Sequence, residues 1–279
     1  MLPLSRSELD AFIETAFGED IRDGDITSNT VIPENAKLKA AMVARHDMVI
    51  AGMPLAMEVF LKLAPKARMS LEVNDGGHAK KGDTLLTVSG SARALLTAER
   101  TALNIVQHLS GIATLTAEYV AAIDGTGATL LDTRKTLPGW RQLQKYATKM
   151  GGGNNHRMGL YDAVMIKDNH IAIAGGIEAA IKTAKAAGLD NIEVECDTLD
   201  QVHTALKLGV GRIMLDNMTN NQMAEAVKFT DGKADLEASG GVTLETIRSI
   251  AETGVDYISA GRLTQSAPAV DIGLDFIDI

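Results

Sequence analysis

Ile192-Glu-Val-Glu-Cys-Asp-Thr-Leu-Asp-Gln-Val-His-Thr-Ala-Leu-Lys-Leu-Gly-Val-Gly-Arg-Ile-Met-Leu-Asp-Asn217 holds the unit from which the fold is read. The apolar run Ile192 to Val194 ends in Glu195. A helical stretch, Leu199 to Leu208, follows and stops at Gly209. A second apolar run, Arg212 to Leu215, ends in Asp216. Strand, helix and strand at this spacing form a parallel βαβ unit. The same beat extends in both directions. Further apolar runs lie at Ala128 to Leu131, Ala163 to Ile166, Asp235 to Ala238 and Tyr257 to Ser259. Helices are expected at Pro138 to Met150, Gly176 to Ala187, Asn220 to Phe229 and Leu244 to Glu252, with Gly188 and Gly254 as stops. The rhythm alone fits either an open sheet or a (β/α) barrel.

The texture changes before residue 125. Leu9 to Phe17 reads as a short amphipathic helix. Ala36 to Arg45, Asp47 to Gly52, Met69 to Asn74 and Thr84 to Val88 read as strands, with the turns Asp75-Gly76-Gly77 and Lys81-Gly82-Asp83 between them. Ser91 to Ile123 is Ala/Leu-rich and helical, with a break expected near Ser110-Gly111. This half is an α+β domain. The expected division is 1–112 for an α/β sandwich, 113–265 for a barrel, and 266–279 for a segment returning to the first domain.

The 279 residues are 46% hydrophobic with a net charge of -9, which suits a folded core and excludes a disordered chain. An acidic chain without a polybasic tail argues against nucleic acid or an anionic membrane as partner. A single Cys, Cys196, excludes an intrachain disulfide and suits a reducing cytoplasm. The start of the chain lacks the pattern of a signal peptide.

Function is concentrated at the strand ends. In order these are Asp132-Thr-Arg134-Lys135, Lys167-Asp-Asn-His170, Glu195, Asp216-Asn217, Ser239-Gly240-Gly241 and Ser259-Ala260-Gly261. Parallel α/β folds carry their sites at these ends, and the ends converge only if the sheet closes. That favours a barrel. Arg134, Lys135, Lys167 and the loop pair His156-Arg157 supply positive charge. Glu195 and Asp216 are carboxylates on successive strands and suit Mg²⁺. The two small-residue turns suit a phosphate, as the last strands of a barrel often do. From Arg100 to His170 there are eight Lys or Arg against five Asp or Glu, a basic stretch inside an acidic chain. The combined reading is a polyanionic substrate with a phosphate and a divalent metal. Singly, each residue has an ordinary role: a strand-end Lys or Arg in a surface ion pair, Glu195 or Asp216 as a helix cap, His156 in a core hydrogen bond, Arg141 on a solvated helix face, Cys196 in packing. The joint convergence outweighs those readings.

Asp132-Thr-Arg-Lys-Thr-Leu-Pro-Gly139, Gly151-Gly-Gly-Asn-Asn-His-Arg-Met-Gly-Leu160 and Ile166-Lys-Asp-Asn-His170 resemble the quinolinate phosphoribosyltransferases, also called carboxylating nicotinate-nucleotide pyrophosphorylases. So do Glu99-Arg100-Thr-Ala-Leu-Asn104, Leu215-Asp-Asn217 and Glu237-Ala-Ser-Gly-Gly241. The resemblance spans nearly the whole chain. It implies an N-terminal α/β sandwich followed by an incomplete, seven-stranded (β/α) barrel. It implies reaction of quinolinate with phosphoribosyl pyrophosphate, giving nicotinate mononucleotide, CO2 and pyrophosphate in de novo NAD synthesis, with Mg²⁺ required. It also implies a homodimer in which Arg100 is donated to the partner's site. By the same resemblance, Arg134, His156, Arg157 and Lys167 hold quinolinate, Lys135 lies near the ribose and pyrophosphate, and Glu195 and Asp216 lie around the ribose hydroxyls and metal. Ser239, Gly240, Gly241, Ser259, Ala260 and Gly261 form the 5′-phosphate site. Trp140 departs from the family pattern without touching a charged motif residue. Other readings are a molybdenum-associated relative of the same fold, a Schiff-base lyase using Lys167, and a carrier-like scaffold in the N-terminal half.

Overall fold

A computed structural model describes residues 2–277. The chain divides into two compact units. One holds the residues through Ala117, Gln142–Gly152 and the segment from Ala267 onward; the other holds Glu118–Arg141 and Gly153–Ser266.

The first unit begins with α1 (Arg6–Asp20). Its start is a capping box: Ser5 Oγ accepts the Glu8 N–H, and the Glu8 carboxylate accepts the Ser5 N–H. Leu9, Ile13 and Phe17, spaced by one turn, are its buried residues. Next come α2 (Ile26–Val31), β1 (Lys37–Ala44), β2 (Met48–Val49), α3 (Met53–Leu63), β3 (Arg68–Leu71), β4 (His78–Ala79), β5 (Thr84–Ser91) and α4 (Ala92–Ala122). Helix α3 lacks a side-chain cap of its own, and Pro54 in its first turn is its local start signal. Its cap comes from afar: the Asp75 carboxylate accepts the N–H groups of Gly52 and Met53 at 2.8 and 3.0 Å. Helix α4 runs unbroken through Ser110-Gly111, against the break expected there. Gly111 instead admits a close neighbour, because a Cβ there would lie 2.1 Å from the Pro268 carbonyl oxygen.

The second half alternates strands and helices: β6 (Thr129–Leu131), α5 (Arg141–Met150), β7 (Val164–Ile166), α6 (Asp168–Ile173), α7 (Ile177–Ala186), β8 (Ile192–Cys196), α8 (Leu199–Lys207), β9 (Arg212–Asp216), α9 (Asn220–Thr230), β10 (Asp235–Ser239), α10 (Ile247–Ala251), β11 (Tyr257–Ser259) and α11 (Arg262–Gln265). The last strand, β12 (Ile272–Phe276), pairs antiparallel with β1, completing a sheet of order β12-β1-β5-β3 in the first unit. Pro138-Gly139 forms a turn rather than the expected first helical turn, and α5 starts at Arg141.

The parallel sheet has the order β6-β11-β10-β9-β8-β7. Neighbours are consecutive in sequence except that β6, the first, pairs with β11, the last. That pairing curls the sheet into a barrel. The six apolar runs read from the sequence are its six strands; the seventh that the resemblance implies is not formed among the described residues, and the barrel is not closed between β6 and β7. A single residue stands beside β6 on that side. Asn154 bridges Leu131, its N–H donating to Leu130 O and its carbonyl accepting from Asp132 N–H. Its neighbours turn away after one rung, so no strand forms.

Helices α8 and α9 both begin with capping boxes, Thr198/Gln201 and Thr219/Gln222. Each cap falls three residues after a strand-end carboxylate, Glu195 or Asp216. The two acids are therefore held by a strand on one side and a fixed helix start on the other.

Candidate active site

All residues of the site described here belong to the second unit. The strand ends open on one cavity of about 580 Å³, a volume suited to a small ligand. Arg134, Lys135, His156, Arg157 and Lys167 line it, with Glu195, Asp216, Asn217, Ser239, Gly240, Gly241, Ser259 and Gly261. Thr133, Met165, Met214 and Val242 complete the wall. Two residues expected at the site are not among these. Ala260 is 1% exposed, and its N–H donates to Leu131 O, which takes that group into the sheet. Arg100 is an exposed residue of α4 in the first unit.

The cations are held by identifiable partners. Lys167 Nζ is ion-paired to the Glu195 carboxylate. Its backbone N–H donates to His170 Nδ1 at 2.9 Å, which fixes the turn from β7 into α6. Arg157 donates to Ala163 O at 3.3 Å and lies 3.4 Å from Met165 Sδ. Burial, with Arg134 close by, pulls the Arg157 guanidinium below its ordinary value. Arg134 Nε is buried without a hydrogen-bond acceptor among the described residues, a donor of the kind that an anionic ligand satisfies. Arg141, read from sequence as a solvated side chain, instead ties loops together. It donates to Thr136 Oγ1 at 3.0 Å and to Met158 O at 3.1 Å.

The phosphate side is built from small residues. Gly240 has φ +95°, and a Cβ there would lie 2.2 Å from Asn217 Oδ1. Asn217 itself has φ +53°, donates its N–H to Ser239 O at 2.9 Å, and donates Nδ2–H to Asp216 Oδ2 at 2.6 Å. The Lys135 side chain lies across Gly261: a Cβ on Gly261 would meet Lys135 Cδ at 2.7 Å.

Beneath the cations lies an acid layer that the sequence reading assigned no role. Glu193 and Glu237 are 5% and 0% exposed. His156 Nε2 lies 3.2 Å from Glu193 Oε2 and 3.4 Å from Glu237 Oε2, while His156 Nδ1 accepts the Arg157 N–H at 2.7 Å. Burial lowers the ring's proton affinity, but the two acids outweigh it and raise His156 to about 9. In the neutral ring, the Arg157 N–H accepted at Nδ1 leaves the hydrogen on Nε2. Either state places the Nε2 hydrogen between the acids. The signal was available in the pattern: Glu193 precedes Glu195, and Glu237 precedes Ser239, by two residues, and so faces the same side of its strand.

Comparison with known proteins gives the family. Residues 112–275 match the family model for the quinolinate phosphoribosyl transferase C-terminal domain, and residues 25–110 match its N-terminal domain. The chain is 45% identical to a Mycobacterium leprae protein named nicotinate-nucleotide pyrophosphorylase [carboxylating], over 98% of this chain and 99% of that one. The solved nicotinate-nucleotide pyrophosphorylase of Ehrlichia chaffeensis superposes with a TM-score of 0.93 at 41% identity, covering 98% and 99% of the two chains. That of Francisella tularensis gives 0.92 at 37% identity, covering 98% of each. A chain that matches both domain models in order, nearly end to end, belongs to the quinolinate phosphoribosyltransferase family.

Proposed function

We propose that this protein transfers the phosphoribosyl group of phosphoribosyl pyrophosphate to quinolinate, releasing pyrophosphate and CO2 and leaving nicotinate mononucleotide. The observation that carries the reading is the joint lining of one cavity by Arg134, Lys135, Arg157 and Lys167, by Glu195 and Asp216, and by the Ser239–Gly241 turn. Quinolinate is a dianion, so it needs several cations in fixed positions. Arg134 and Arg157 suit its carboxylates because a planar guanidinium donates two parallel hydrogen bonds. Lys167 adds a point charge, aimed by its pairing with Glu195. Ser239, Gly240, Gly241 and Gly261 leave room for the 5′-phosphate, and Lys135 crosses Gly261 toward it.

In the reaction, the ring nitrogen's lone pair forms a bond to ribosyl C1. The bond from C1 to pyrophosphate breaks, and pyrophosphate leaves with that electron pair. The carboxylates Glu195 and Asp216 favour the positive charge that develops on the ribosyl centre. The new pyridinium draws in the electron pair of the adjacent carbon–carboxylate bond, CO2 leaves, and that carbon takes a proton. No covalent bond to the enzyme is needed. Glu195 and Asp216 offer the hard oxygen donors that Mg²⁺ takes. They fit the ion unequally, since Glu195 already pairs with Lys167 while Asp216 is committed through Oδ2 to Asn217. Bound there, Mg²⁺ would neutralise charge on the leaving pyrophosphate.

The reading includes a homodimer that brings Arg100 of each copy to the other's site, and a cytoplasmic location. Among the described residues no helix is long and apolar enough to cross a membrane. Carboxyl-labelled quinolinate tests the activity: CO2 release is expected only with phosphoribosyl pyrophosphate and Mg²⁺ present. Release without the cosubstrate would refute the order of bond making and breaking. Mixing Arg100→Ala with Lys167→Ala chains should restore part of the lost activity; no recovery would remove Arg100 from the partner's site. A Schiff-base role for Lys167 predicts an adduct trapped by borohydride, and none is expected.

A further inference from the structure

The gap between β6 and β7 is where a further strand would stand, and its occupant is polar. Residues Asn155, His156 and Arg157 follow the one-rung bridge at Asn154 and turn into the barrel. Three buried carboxylates from three strands meet them. Asp132, at the end of β6 and 0% exposed, accepts the His156 N–H at 2.9 Å and Asn155 Nδ2–H at 2.6 Å. Glu193 of β8 and Glu237 of β10 face His156 Nε2. These two strands are separated only by β9, whose Arg212 is level with Glu193 and whose Met214 is level with Glu237. The chain of contacts then continues upward. His156 Nδ1 accepts the N–H of Arg157, and Arg157 lines the cavity.

We propose that Asp132, Glu193 and Glu237 are positioning residues that pin His156 in the barrel's gap and, through it, place the Arg157 guanidinium for a substrate carboxylate. This rests on the reading of the cavity as a quinolinate site. The energetic logic is that a strand holds a cavity residue by its ladder of hydrogen bonds, whereas this segment has a single rung. The hydrogen bonds to the Asp132 carboxylate, which are stronger than neutral ones, and the ion-pair contacts of His156 Nε2 with Glu193 and Glu237 replace the missing ladder. Buried acids are costly unless paired, so His156 and the acids stabilise each other. Arg212 Nη1 also lies 4.0 Å from Glu237 Oε2. The three side chains His156, Glu193 and Glu237 also form a set that could hold a metal ion. The Arg157 N–H at Nδ1 decides between the readings. It leaves the ring's hydrogen on Nε2, the atom a metal would need, facing the acids.

Two substitutions separate positioning from mere support. Glu237→Gln keeps an acceptor oxygen for Nε2–H, whereas Glu237→Leu keeps the bulk and loses the acceptor. Misplacing Arg157 by an ångström should raise the quinolinate KM of Glu237→Leu about tenfold or more, with kcat and the KM for phosphoribosyl pyrophosphate changing less than about threefold. Glu237→Gln should restore the quinolinate KM to within about threefold of the original. Equal losses for both cosubstrates, or no rescue by Gln, would overturn the proposal. A readout that needs neither folding of a variant nor activity is nitrogen-15 NMR of the unaltered chain, with His156 assigned by the signal lost in His156→Gln. A slowly exchanging Nε2–H is expected. A ring without a hydrogen on Nε2, or a stoichiometric metal ion in the purified protein, would overturn it. If no CO2 is released by the unaltered chain, the functional reading fails while the NMR result still decides the pin.

Discussion

Gly261→Ala offers a sharp test of how Lys135 is placed. Gly261 has φ -63° and ψ -27°, ordinary right-handed values that alanine adopts without strain. Replacing glycine in such a backbone stabilises by about 0.5–1 kcal/mol through the unfolded chain. The added methyl, however, arrives 2.7 Å from Lys135 Cδ and 3.5 Å from both Cε and Nζ. Carbon–carbon contacts are optimal at about 3.5–4.0 Å, so the lysine stem must give by about 1 Å. Displacement of that size at a positioned group costs about 10²-fold in rate, or about 2.7 kcal/mol of transition-state stabilisation. Gly261→Ala should therefore melt no lower than the original chain while kcat/KM for phosphoribosyl pyrophosphate falls about 10²-fold.

The Lys135→Ala background isolates the cause. With the lysine truncated, the methyl loses its three nearest neighbours, so adding Gly261→Ala should cost less than about twofold, the limit for independent sites. Steady-state rates of labelled CO2 release for the four proteins, with thermal melts, complete the cycle. Near-normal kinetics for Gly261→Ala would refute the placement of Lys135. A full penalty that persists without the lysine would mean that the glycine acts at the phosphate directly.

Lys167→Ala removes a cation from quinolinate and strips Glu195 of its ion-pair partner. A charge-assisted hydrogen bond contributes about 1.5–3 kcal/mol, so the quinolinate KM should rise about 10–10²-fold; unchanged kinetics would remove Lys167 from the site. Burial, with Asp197 and Glu195 adding to it, pushes the Cys196 thiol up to about 12. At pH 8 only about one thiol in ten thousand is then ionised. A disulfide reagent should count no thiol in the folded chain and one in the denatured chain, and fast reaction of the folded chain would contradict its burial. Gly111→Ala drives a methyl to 2.1 Å from Pro268 O and should destabilise by about 1–3 kcal/mol or more. Equal melting temperatures would show that the Pro268 segment can shift freely.

Much of this arrangement was legible because local signals and long-range structure agree. The beat from Ile192 to Asn217 is written in apolar runs and glycine stops, and its helices start at Thr198 and Thr219 with side-chain caps. The strand-end residues followed from the rule that such ends carry the site, and most of them line the cavity. What was not legible depends on distant partners. Helix α3 is capped by Asp75 from another part of the chain. Gly111 reads as a helix break until Pro268 is placed against it. The six apolar runs are the six strands of the parallel sheet, and where the resemblance implies a seventh, glycine-rich Gly151–Gly153 leads into the single bridging residue Asn154. Ala260 stood in a turn that reads as phosphate-binding, yet the sheet claims its N–H.

The net charge of -9 and a site for polyanions are consistent once distance is considered. A chain-wide charge acts over a screened field of about 10 Å at ordinary ionic strength, which governs bulk partners. A carboxylate in the cavity responds to the few groups that touch it. Here Arg134 crowds Arg157 and both are partly desolvated, which disfavours two neighbouring positive charges. The buried acids oppose this. Glu193 attracts Arg157 from below, as does Asp162 from its own loop. The acids therefore have a second consequence beyond pinning a loop: they make a clustered cationic floor tolerable before any anion arrives. Removing an acid should accordingly harm the empty site more than the filled one, because a bound dianion supplies the opposing charge itself. Glu193→Gln should gain more thermal stability from added quinolinate than the original chain does. An equal gain, measured at matched saturation, would show that the acid layer contributes nothing to the cost of holding Arg134 and Arg157 together.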